Sequence, residues 1–348
     1  MKSRRGAPPI RATAAVALLL SVAALGAAAS PRSQPPAPRC ATAGVGQDSI
    51  CTVGGLRLHY VDWGGKGPAM ILVTGLGDSA RIFDNFAPLL TRGHRVIAIT
   101  RRGYGPSAAP SDGDYTNGAL VGDILSLMDA LSIPRASFVG HSIAGGELAA
   151  LGADHVDRVD RLIYIDAAYD RTLAPELMAR VPPLPSPGGA VRHDLDSLTR
   201  RREAELGVHL SAVREDLAQI MVPGADGLVP RTSPSVNAAV LAGDIAAKPR
   251  WDAIAAPSLA FFTSKDVPDQ LPPEATTAQR ASFVHYSIKV LRPWMLRAQA
   301  DFLERARCAV AVEVPHSTHY LFLERPEWTA QAILAFLSSE DPCHWRFD

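Results

Sequence analysis

Six short apolar runs, separated by stretches with helical spacing, constrain the fold of this chain most strongly. The runs span residues 69–73, 95–99, 136–140, 161–165, 258–262 and 309–314. They are apolar at most positions, which is typical of strands that are covered on both faces of a parallel sheet. Between two of them, Leu120, Ile124 and Met128 recur at helical spacing. The sequence therefore predicts an α/β fold with a mostly parallel central sheet and helices on both faces.

The alternation of strands and helices is interrupted between residues 170 and 250. This stretch has no convincing strand, and it contains a Pro-rich segment and polar helical pieces. We expect a helical cap over the carboxyl edge of the sheet, inserted between two core parts at 49–169 and 251–348. An antiparallel hairpin is predicted around Gly54-Gly55, ahead of the first parallel strand.

The first 30 residues have the pattern of a secretory signal peptide. Lys2, Arg4, Arg5 and Arg11 accompany an Ala-rich apolar stretch at 12–29, and small residues follow it. Cleavage near Ala29 would give a secreted or periplasmic protein with no stable membrane partner. The alternative is an N-terminal membrane anchor, since the stretch is just long enough to span a bilayer. Residues 31–48 are then a linker, Pro-rich in its first part.

Composition and cysteine content narrow the class of protein. Basic and acidic residues number 35 each, and no segment has the basic excess of a nucleic-acid-binding surface. Because export permits disulfides, we predict the pairs Cys40–Cys51 and Cys308–Cys343. Four cysteines allow three connectivities, so the other two pairings stay open at this point.

The sharpest local signal is the segment 138–146, which reads Phe-Val-Gly-His-Ser-Ile-Ala-Gly-Gly. An apolar strand ends at Gly140, and a helix rich in Ala and Leu begins after Ser142. Small residues two positions before and after the serine, Gly140 and Ala144, let the backbone fold back and expose the hydroxyl. The helix N-terminus would stabilise negative charge beside it. The segment predicts a nucleophilic serine, and the alternative is a serine that only caps the helix.

This segment, together with three other motifs, makes the chain resemble the α/β-hydrolase superfamily over about residues 50–340. The resemblance rests on four motifs, which follow one another in chain order. The third is the strand–turn–helix segment 138–146 around Ser142, which we call the elbow. The set is Val73-Thr74-Gly75-Leu76-Gly77, Arg102-Gly103-Tyr104-Gly105-Pro106-Ser107, the elbow, and His319 ahead of Glu324-Arg325-Pro326-Glu327. The chain departs from the family pattern at Thr74, where His is common, at Ala144, where Gly is usual, and at Thr100-Arg101, where an acidic residue often stands. The resemblance implies a serine hydrolase that needs no metal or organic cofactor.

The resemblance also implies which groups would assist the serine. A serine hydroxyl needs a general base, and His319 occupies the family's position, with His316 as a rival three residues earlier. The acid that orients the base is implied at Asp266, which follows the apolar run 258–262. Asp166, at the end of another run, is the alternative acid, and Asp269 ranks third.

Two backbone N–H groups would stabilise the tetrahedral oxygen in such a mechanism. One belongs to Ile143, which follows the serine, and the resemblance implies the other at Leu76 between two glycines. The substrate would be a small-molecule carboxylic ester or a related acyl compound, cleaved through an acyl-enzyme on Ser142. Serine at the elbow, where epoxide and haloalkane hydrolases of the superfamily have a carboxylate, disfavours those two reactions.

Three other functions compete with this prediction. The first is an aminopeptidase or amidase of the same fold. The second is an NADP-binding Rossmann-type oxidoreductase, because residues 75–80 also match G-x-G-x-x-A and Arg101-Arg102 end the next strand. The third is a non-catalytic protein of the hydrolase fold that only binds a ligand.

Two further groups of residues could bind ligands. A zinc site at His316 and His319 is disfavoured because no further ligand cluster accompanies the pair, so no metal is predicted. Acidic residues of the cap could bind a substrate amine, but solvated helix faces are the preferred interpretation. These residues are Glu203, Glu205, Glu215 and Asp216.

Overall fold

The computed structural model describes residues 39–41, 43–183, 194–264, 271 and 275–347. The predicted signal peptide and half of the predicted linker, 31–38 and 42, lie outside the described residues, whereas Arg39–Ala41 of that linker form a strand. Within the described ranges, no helix combines the length and the apolar character that crossing a membrane requires.

Nine strands of the described chain form one sheet. In spatial order they are β1 (Arg39–Ala41), β2 (Asp48–Val53), β3 (Leu56–Asp62), β5 (Arg95–Ile99), β4 (Ala69–Val73), β6 (Ala136–His141), β7 (Val159–Ile165), β10 (Ser258–Ser264) and β11 (Ala309–Pro315). Strands β1, β2, β3 and β5 pair antiparallel in that order, and β5, β4, β6, β7, β10 and β11 pair in parallel in that order. Each predicted apolar run is one of the parallel strands, so the predicted α/β fold is confirmed.

Successive side chains along each strand point to opposite faces of the sheet, and they pack into two separate hydrophobic cores, one on each face. On β4, Ile71 and Val73 pack into one core, while Met70 and Leu72 pack into the other. This period of two, together with burial on both faces, explains why the strand sequences are unbroken apolar runs.

Helices cover both faces of this sheet. Those of the core are α1 (Ala87–Leu90), α2 (Asn117–Ala130), α3 (Ala144–Asp154), α8 (Thr277–Tyr286), α9 (Arg292–Arg305), α10 (Leu321–Glu324) and α11 (Pro326–Leu337). Buried residues of α2, α3 and α9 belong to one core, and those of α1, α10 and α11 belong to the other. A π-helical turn at Ser287–Leu291 joins α8 to α9 just before Pro293, whose ring disfavours regular α-helical hydrogen bonding.

The predicted hairpin and both predicted disulfides are present. Strands β2 and β3 pair through Val53 and Leu56, and both intervening glycines have positive φ values of 56° and 86°. Such angles suit a two-residue hairpin turn and explain the Gly-Gly pair. Disulfides join Cys40 to Cys51, across β1 and β2, and Cys308 to Cys343.

The described part of the stretch expected to form a cap, 170–183 and 194–250, is mostly helical but contains one hairpin. Its elements are α4 (Ala174–Met178), α5 (Leu195–Leu206), α6 (Ser211–Ile220), β8 (Met221–Gly224), β9 (Gly227–Pro230) and α7 (Pro234–Ala246). The expectation that this stretch lacks strands was therefore wrong at β8 and β9, which pair antiparallel. Both strands contain a proline, Pro223 and Pro230, and proline normally argues against a strand.

Candidate active site

Ser142 stands on a tight turn between β6 and α3. Its backbone has φ of 57°, in the left-handed region that non-glycine residues rarely adopt. The Ser142 N–H donates to the carbonyl of Ile165 at the end of neighbouring β7, which fixes the turn at the sheet edge (3.2 Å). Strained backbone of this kind is concentrated at functional positions.

Glycines around Ser142 make the turn sterically possible. A Cβ at Gly140 would lie 2.8 Å from the side chain of Leu148, as the small-residue requirement predicts. The requirement is stricter at Gly145, where a Cβ would lie 1.8 Å from the carbonyl oxygen of Ala167. The helix can therefore approach the segment after β7 closely only with glycine at that position.

The imidazole of His319 meets a carboxylate that follows β7. Nδ1 of His319 lies 2.5 Å from Oδ2 of Asp166. An ionised carboxylate only accepts hydrogen bonds, so in the neutral imidazole Nδ1 carries the proton and Nε2 has the lone pair. Asp166, the alternative acid of the sequence prediction, is thus the described partner of His319, whereas Asp266 and Asp269 lie outside the described residues.

Asp166 is buried and strongly hydrogen-bonded. Its carboxylate also accepts from the hydroxyl of Thr263, at 2.9 Å, and from the hydroxyl of Tyr169. Burial alone would raise the pKa of Asp166, but the bonds from His319, Tyr169 and Thr263 outweigh it and hold the pKa below its usual range. Tyr169 is itself stacked on Trp294, with ring centroids 5.1 Å apart. The acid is therefore kept ionised and fixed in orientation.

His141 connects the His319 loop to the turn at Ser142. Nε2 of His141 contacts the carbonyl oxygen of His319 at 3.0 Å, and the two rings have centroids 4.6 Å apart. Because His141 immediately precedes Ser142, this contact brings the His319 loop to the turn. Burial, followed by the proximity of His319, lowers the pKa of His141, which favours its neutral form.

His316 lies at the end of β11 rather than against Asp166. Its backbone has φ of 57°, and its N–H donates to the carbonyl of Ser264 at 2.8 Å. Among the described residues, no group of three or more His, Cys, Asp or Glu side chains is arranged to hold a metal ion.

The two residues predicted to supply backbone N–H groups share one apolar cluster. It contains Leu76 and Ile143 together with Tyr104, Tyr115, Leu120, Val236, Ala239, Val240 and Leu241. Gly75 makes the approach of the loop possible, because a Cβ there would lie 2.7 Å from Nδ1 of His141. The loop that follows β4 is thus packed directly against the turn, and residues of cap helix α7 cover it.

A buried ion pair braces this loop from the core side. Arg101 donates to the carbonyl of Gly75 at 3.0 Å and to that of Thr74 at 3.1 Å. Its Nε donates to Oε1 of Glu147 in α3 at 2.9 Å, and each side chain of the pair is only 3% exposed. The departure from the family pattern at Arg101 therefore connects the loop after β4 to the helix that follows Ser142.

These contacts remove the basis of the Rossmann hypothesis. Arg101 donates hydrogen bonds to Glu147 and to two backbone carbonyls, and Arg102 donates to Asp123 at 2.6 Å. Neither guanidinium is therefore presented to a 2′-phosphate. Asp78, in the matching glycine segment, is buried and accepts from the hydroxyl of Tyr320.

The cap reaches the turn through Arg171 and Asp244. Arg171 donates to the carbonyl of Ser142 at 2.8 Å, and its other terminal nitrogen lies 3.6 Å from Oδ2 of Asp244 in α7. A Cβ at Gly146 would lie 2.0 Å from Oδ1 of Asp244, so this glycine makes room for the carboxylate. Burial, only partly offset by Arg171, raises the pKa of Asp244 to about 6.

One cap carboxylate contradicts the expected solvated faces. Asp216 in α6 is 4% exposed and accepts from both the N–H and the hydroxyl of Ser79. Glu205 and Glu215 are exposed, as expected, whereas Glu203 is half-buried and contacts His209. Asp216 points inward because its neighbours Ala212 and Val213 place this side of α6 against the core.

Sequence reasoning missed the residues that support the site from a distance in the chain. Thr263 and Tyr169 reach Asp166, and Arg171 reaches Ser142. The available signals were a Tyr three residues after a strand-end Asp and a polar residue at the end of a strand. Both features are common for other reasons, so only the fold brings these groups together.

Comparisons with known proteins agree with this architecture. A family model described as alpha/beta hydrolase fold matches residues 68–270. The chain is 33% identical over 127 residues to 2-hydroxymuconate semialdehyde hydrolase of Pseudomonas sp. (strain CF600), covering 36% of this chain and 44% of the relative. It is 34% identical over 121 residues to fluoroacetate dehalogenase of Burkholderia sp, covering 34% and 40%. The matches thus span less than half the length of these curated relatives.

A solved structure resembles most of this chain. The crystal structure of E-2-(acetamidomethylene)succinate hydrolase superposes with a TM-score of 0.62 at 21% identity, covering 84% of this chain and 99% of the other. At that identity the likeness concerns the fold alone.

Proposed function

Because the chain belongs to the alpha/beta hydrolase fold family, we propose that it is a serine hydrolase that cleaves a carboxylic ester or related acyl bond through Ser142. One observation carries the proposal: Asp166 orients the imidazole of His319 beside the strained turn that bears Ser142. In this arrangement the base has its Nδ1 proton tied to the acid and its Nε2 lone pair available. That is the tautomer that can deprotonate a serine hydroxyl.

The reaction follows from these groups. Oγ of Ser142 bonds to the substrate carbonyl carbon while its proton moves to Nε2 of His319, and the carbonyl oxygen becomes an oxyanion. The N–H groups of Leu76 and Ile143 stabilise that oxyanion. The C–O bond to the leaving alcohol then breaks as His319 returns the proton to it. Water, deprotonated by His319, attacks the acyl-enzyme and releases the acid and free Ser142.

In this mechanism Asp166 has the acid role that the resemblance implied first for Asp266. Its three hydrogen bonds keep it ionised, so it stabilises the imidazolium that forms when His319 accepts the proton. No organic cofactor or metal enters these steps.

Ester cleavage is the reaction that we infer first, and the aminopeptidase alternative stays open. Among the cap carboxylates that could bind a substrate amine, Asp216 is buried against Ser79, whereas Glu205 and Glu215 are exposed. One of the relatives is named a dehalogenase, but the elbow of this chain has serine, and we infer acyl chemistry from that residue.

Export is part of the proposal. Two disulfides and a signal-like N-terminal sequence support a location in the periplasm or outside the cell, where disulfides persist.

Hydrolysis of a substrate panel tests the proposal. The panel contains p-nitrophenyl esters of increasing acyl length beside aminoacyl anilides, with Ser142→Ala as the control variant. We expect ester turnover that falls by about 10³-fold or more in Ser142→Ala. Undiminished turnover in that variant would refute the mechanism, preference for the anilides would support the aminopeptidase alternative, and no turnover of any substrate would support a non-catalytic binder.

A further inference from the structure

A carboxylate of the cap holds the loop that supplies one of the proposed oxyanion donors. Oδ1 of Asp216, in α6, accepts from the N–H of Ser79 at 2.6 Å and from its hydroxyl at 2.8 Å. Both residues are buried, with Asp216 4% exposed and Ser79 fully covered. Ser79 follows Leu76 by three residues, so the fixed point lies within one short loop of the donor.

The same loop is held at its other positions by the core. Arg101 binds the carbonyls of Thr74 and Gly75, immediately before Leu76. The hydroxyl of Tyr320, the residue after His319, lies 3.2 Å from Oδ1 of Asp78. The core therefore contacts this segment on both sides of Leu76, at Thr74 and Gly75 and at Asp78, and the cap contacts it at Ser79.

We propose that Asp216 is a positioning residue for the oxyanion hole, acting through Ser79 to keep the N–H of Leu76 directed at the developing oxyanion. The inference rests on the proposed function. It implies that the cap does more than form the walls of an acyl pocket, because one of its side chains completes the catalytic geometry of the core. A donor that is displaced by even a fraction of an ångström loses much of its effect on the transition state.

The hydrogen bonds of Asp216 matter more for this role than its charge. Burial, followed by the proximity of Asp78, raises the pKa of Asp216 well above its usual value. Burial and the neighbouring carboxylate therefore disfavour the ionised form of Asp216. Asparagine keeps an acceptor oxygen for Ser79 without the charge, so Asp216→Asn should preserve the loop, whereas Asp216→Ala removes the acceptor altogether.

Kinetics with a small substrate and a transition-state analogue test the role. p-Nitrophenyl acetate is chosen because its short acyl group gives the cap walls little to bind, and a boronic acid reports on the tetrahedral geometry. We expect Asp216→Ala to lower kcat by about 10–100-fold and to weaken boronate inhibition by a similar factor, with KM changed by less than about 3-fold. Asp216→Asn should stay within about 3-fold of the parent protein on every parameter. Glu215→Gln, an exposed neighbour on α6, is the matched control and should change nothing.

Several results would overturn the inference. A folded Asp216→Ala protein with parental kcat would do so, as would a lower kcat with unchanged boronate affinity, which indicates only a loosened cap. Should Asp216→Ala fail to fold, Ser79→Ala decides, because it deletes one of the two bonds and should lower kcat by about 3–10-fold; parental kcat there overturns the role. Ser142→Ala separates the two proposals, since its activity tests the serine mechanism independently of Asp216.

Discussion

Two buried aspartates, one at the edge of the sheet and one in the cap, respond to burial in opposite ways. Asp166 and Asp244 are each 6% exposed. Asp166 receives hydrogen bonds from His319, Tyr169 and Thr263, and its pKa is held below the usual range. Asp244 has Arg171 at 3.6 Å as its cationic neighbour, and its pKa is raised to about 6.

At the same exposure, the bonds from His319, Tyr169 and Thr263 outweigh the effect of burial on the pKa of Asp166, whereas Arg171 offsets that effect at Asp244 only in part. The sheet edge is built to hold a permanent negative charge beside His319, as a serine mechanism requires. The cap instead carries a carboxylate whose charge depends on pH near neutrality.

Removing the charge at the sheet edge should have the largest effect. The side-chain amide in Asp166→Asn has no negative charge to stabilise the imidazolium of His319. Its NH2 group can also donate to Nδ1, which favours the tautomer with the proton on Nε2, where the base needs its lone pair. We expect kcat for ester hydrolysis to fall by about 10³–10⁴-fold with the fold intact. Steady-state kinetics measure the loss, and circular dichroism checks the fold.

The matched control for that variant is Asp266→Asn. Asp266 is the acid that the resemblance implied first, so the pair of variants separates the two assignments directly. A large loss of kcat in Asp266→Asn with a small one in Asp166→Asn would assign the acid role to Asp266 and contradict the role proposed for Asp166.

Breaking the buried ion pair beneath the turn should be the next largest effect. Glu147→Gln leaves the Arg101 guanidinium buried without its counter-charge, and we expect the free energy of unfolding to fall by about 3–5 kcal/mol. Urea denaturation measures it. The control is Glu205→Gln, which breaks the exposed pair with Arg201 in the cap and should cost less than about 1 kcal/mol. Equal losses in the two variants would show that burial of the core pair has no energetic consequence.

The smallest predicted effect is a pH dependence that originates in the cap. Folding raises the pKa of Asp244 from its usual 3.8 to about 6, so the folded protein binds this proton more tightly than the unfolded chain. The resulting stability is fully present below about pH 4 and is lost as the pH rises through 6, a total of about 2–3 kcal/mol. In Asp244→Asn this contribution to the pH dependence of the free energy of unfolding should disappear. Urea unfolding of both proteins from pH 4 to pH 7 measures the difference, and parallel pH profiles would contradict the assignment.

Much of this architecture was predictable because it depends on local pattern. The apolar runs gave every parallel strand, the Gly54-Gly55 pair gave the hairpin, and the small residues around Ser142 gave the turn. Each of these features is determined by residues that are close together in the sequence.

The partners of the site were less predictable because they come from distant segments. A sequence identifies Asp166 and Asp266 equally well as residues that follow strands, but not which carboxylate meets His319. That choice depends on Thr263 and Tyr169, which converge on Asp166 only through the pairing of β7 with β10. Asp216 was missed for a similar reason, since a polar helix reveals its buried side only once it packs on the core.

Trapping the nucleophile tests whether Ser142 is activated by His319. A fluorophosphonate probe reacts with serine hydroxyls that are activated by a base and an oxyanion hole, and peptide mass spectrometry locates the adduct. We expect one stoichiometric adduct on Ser142, lost in Ser142→Ala and formed at least 100-fold more slowly in His319→Ala, on the order of the loss that removing a base causes. An adduct on another residue, or an unlabelled Ser142 in folded protein that still hydrolyses esters, would contradict the serine mechanism.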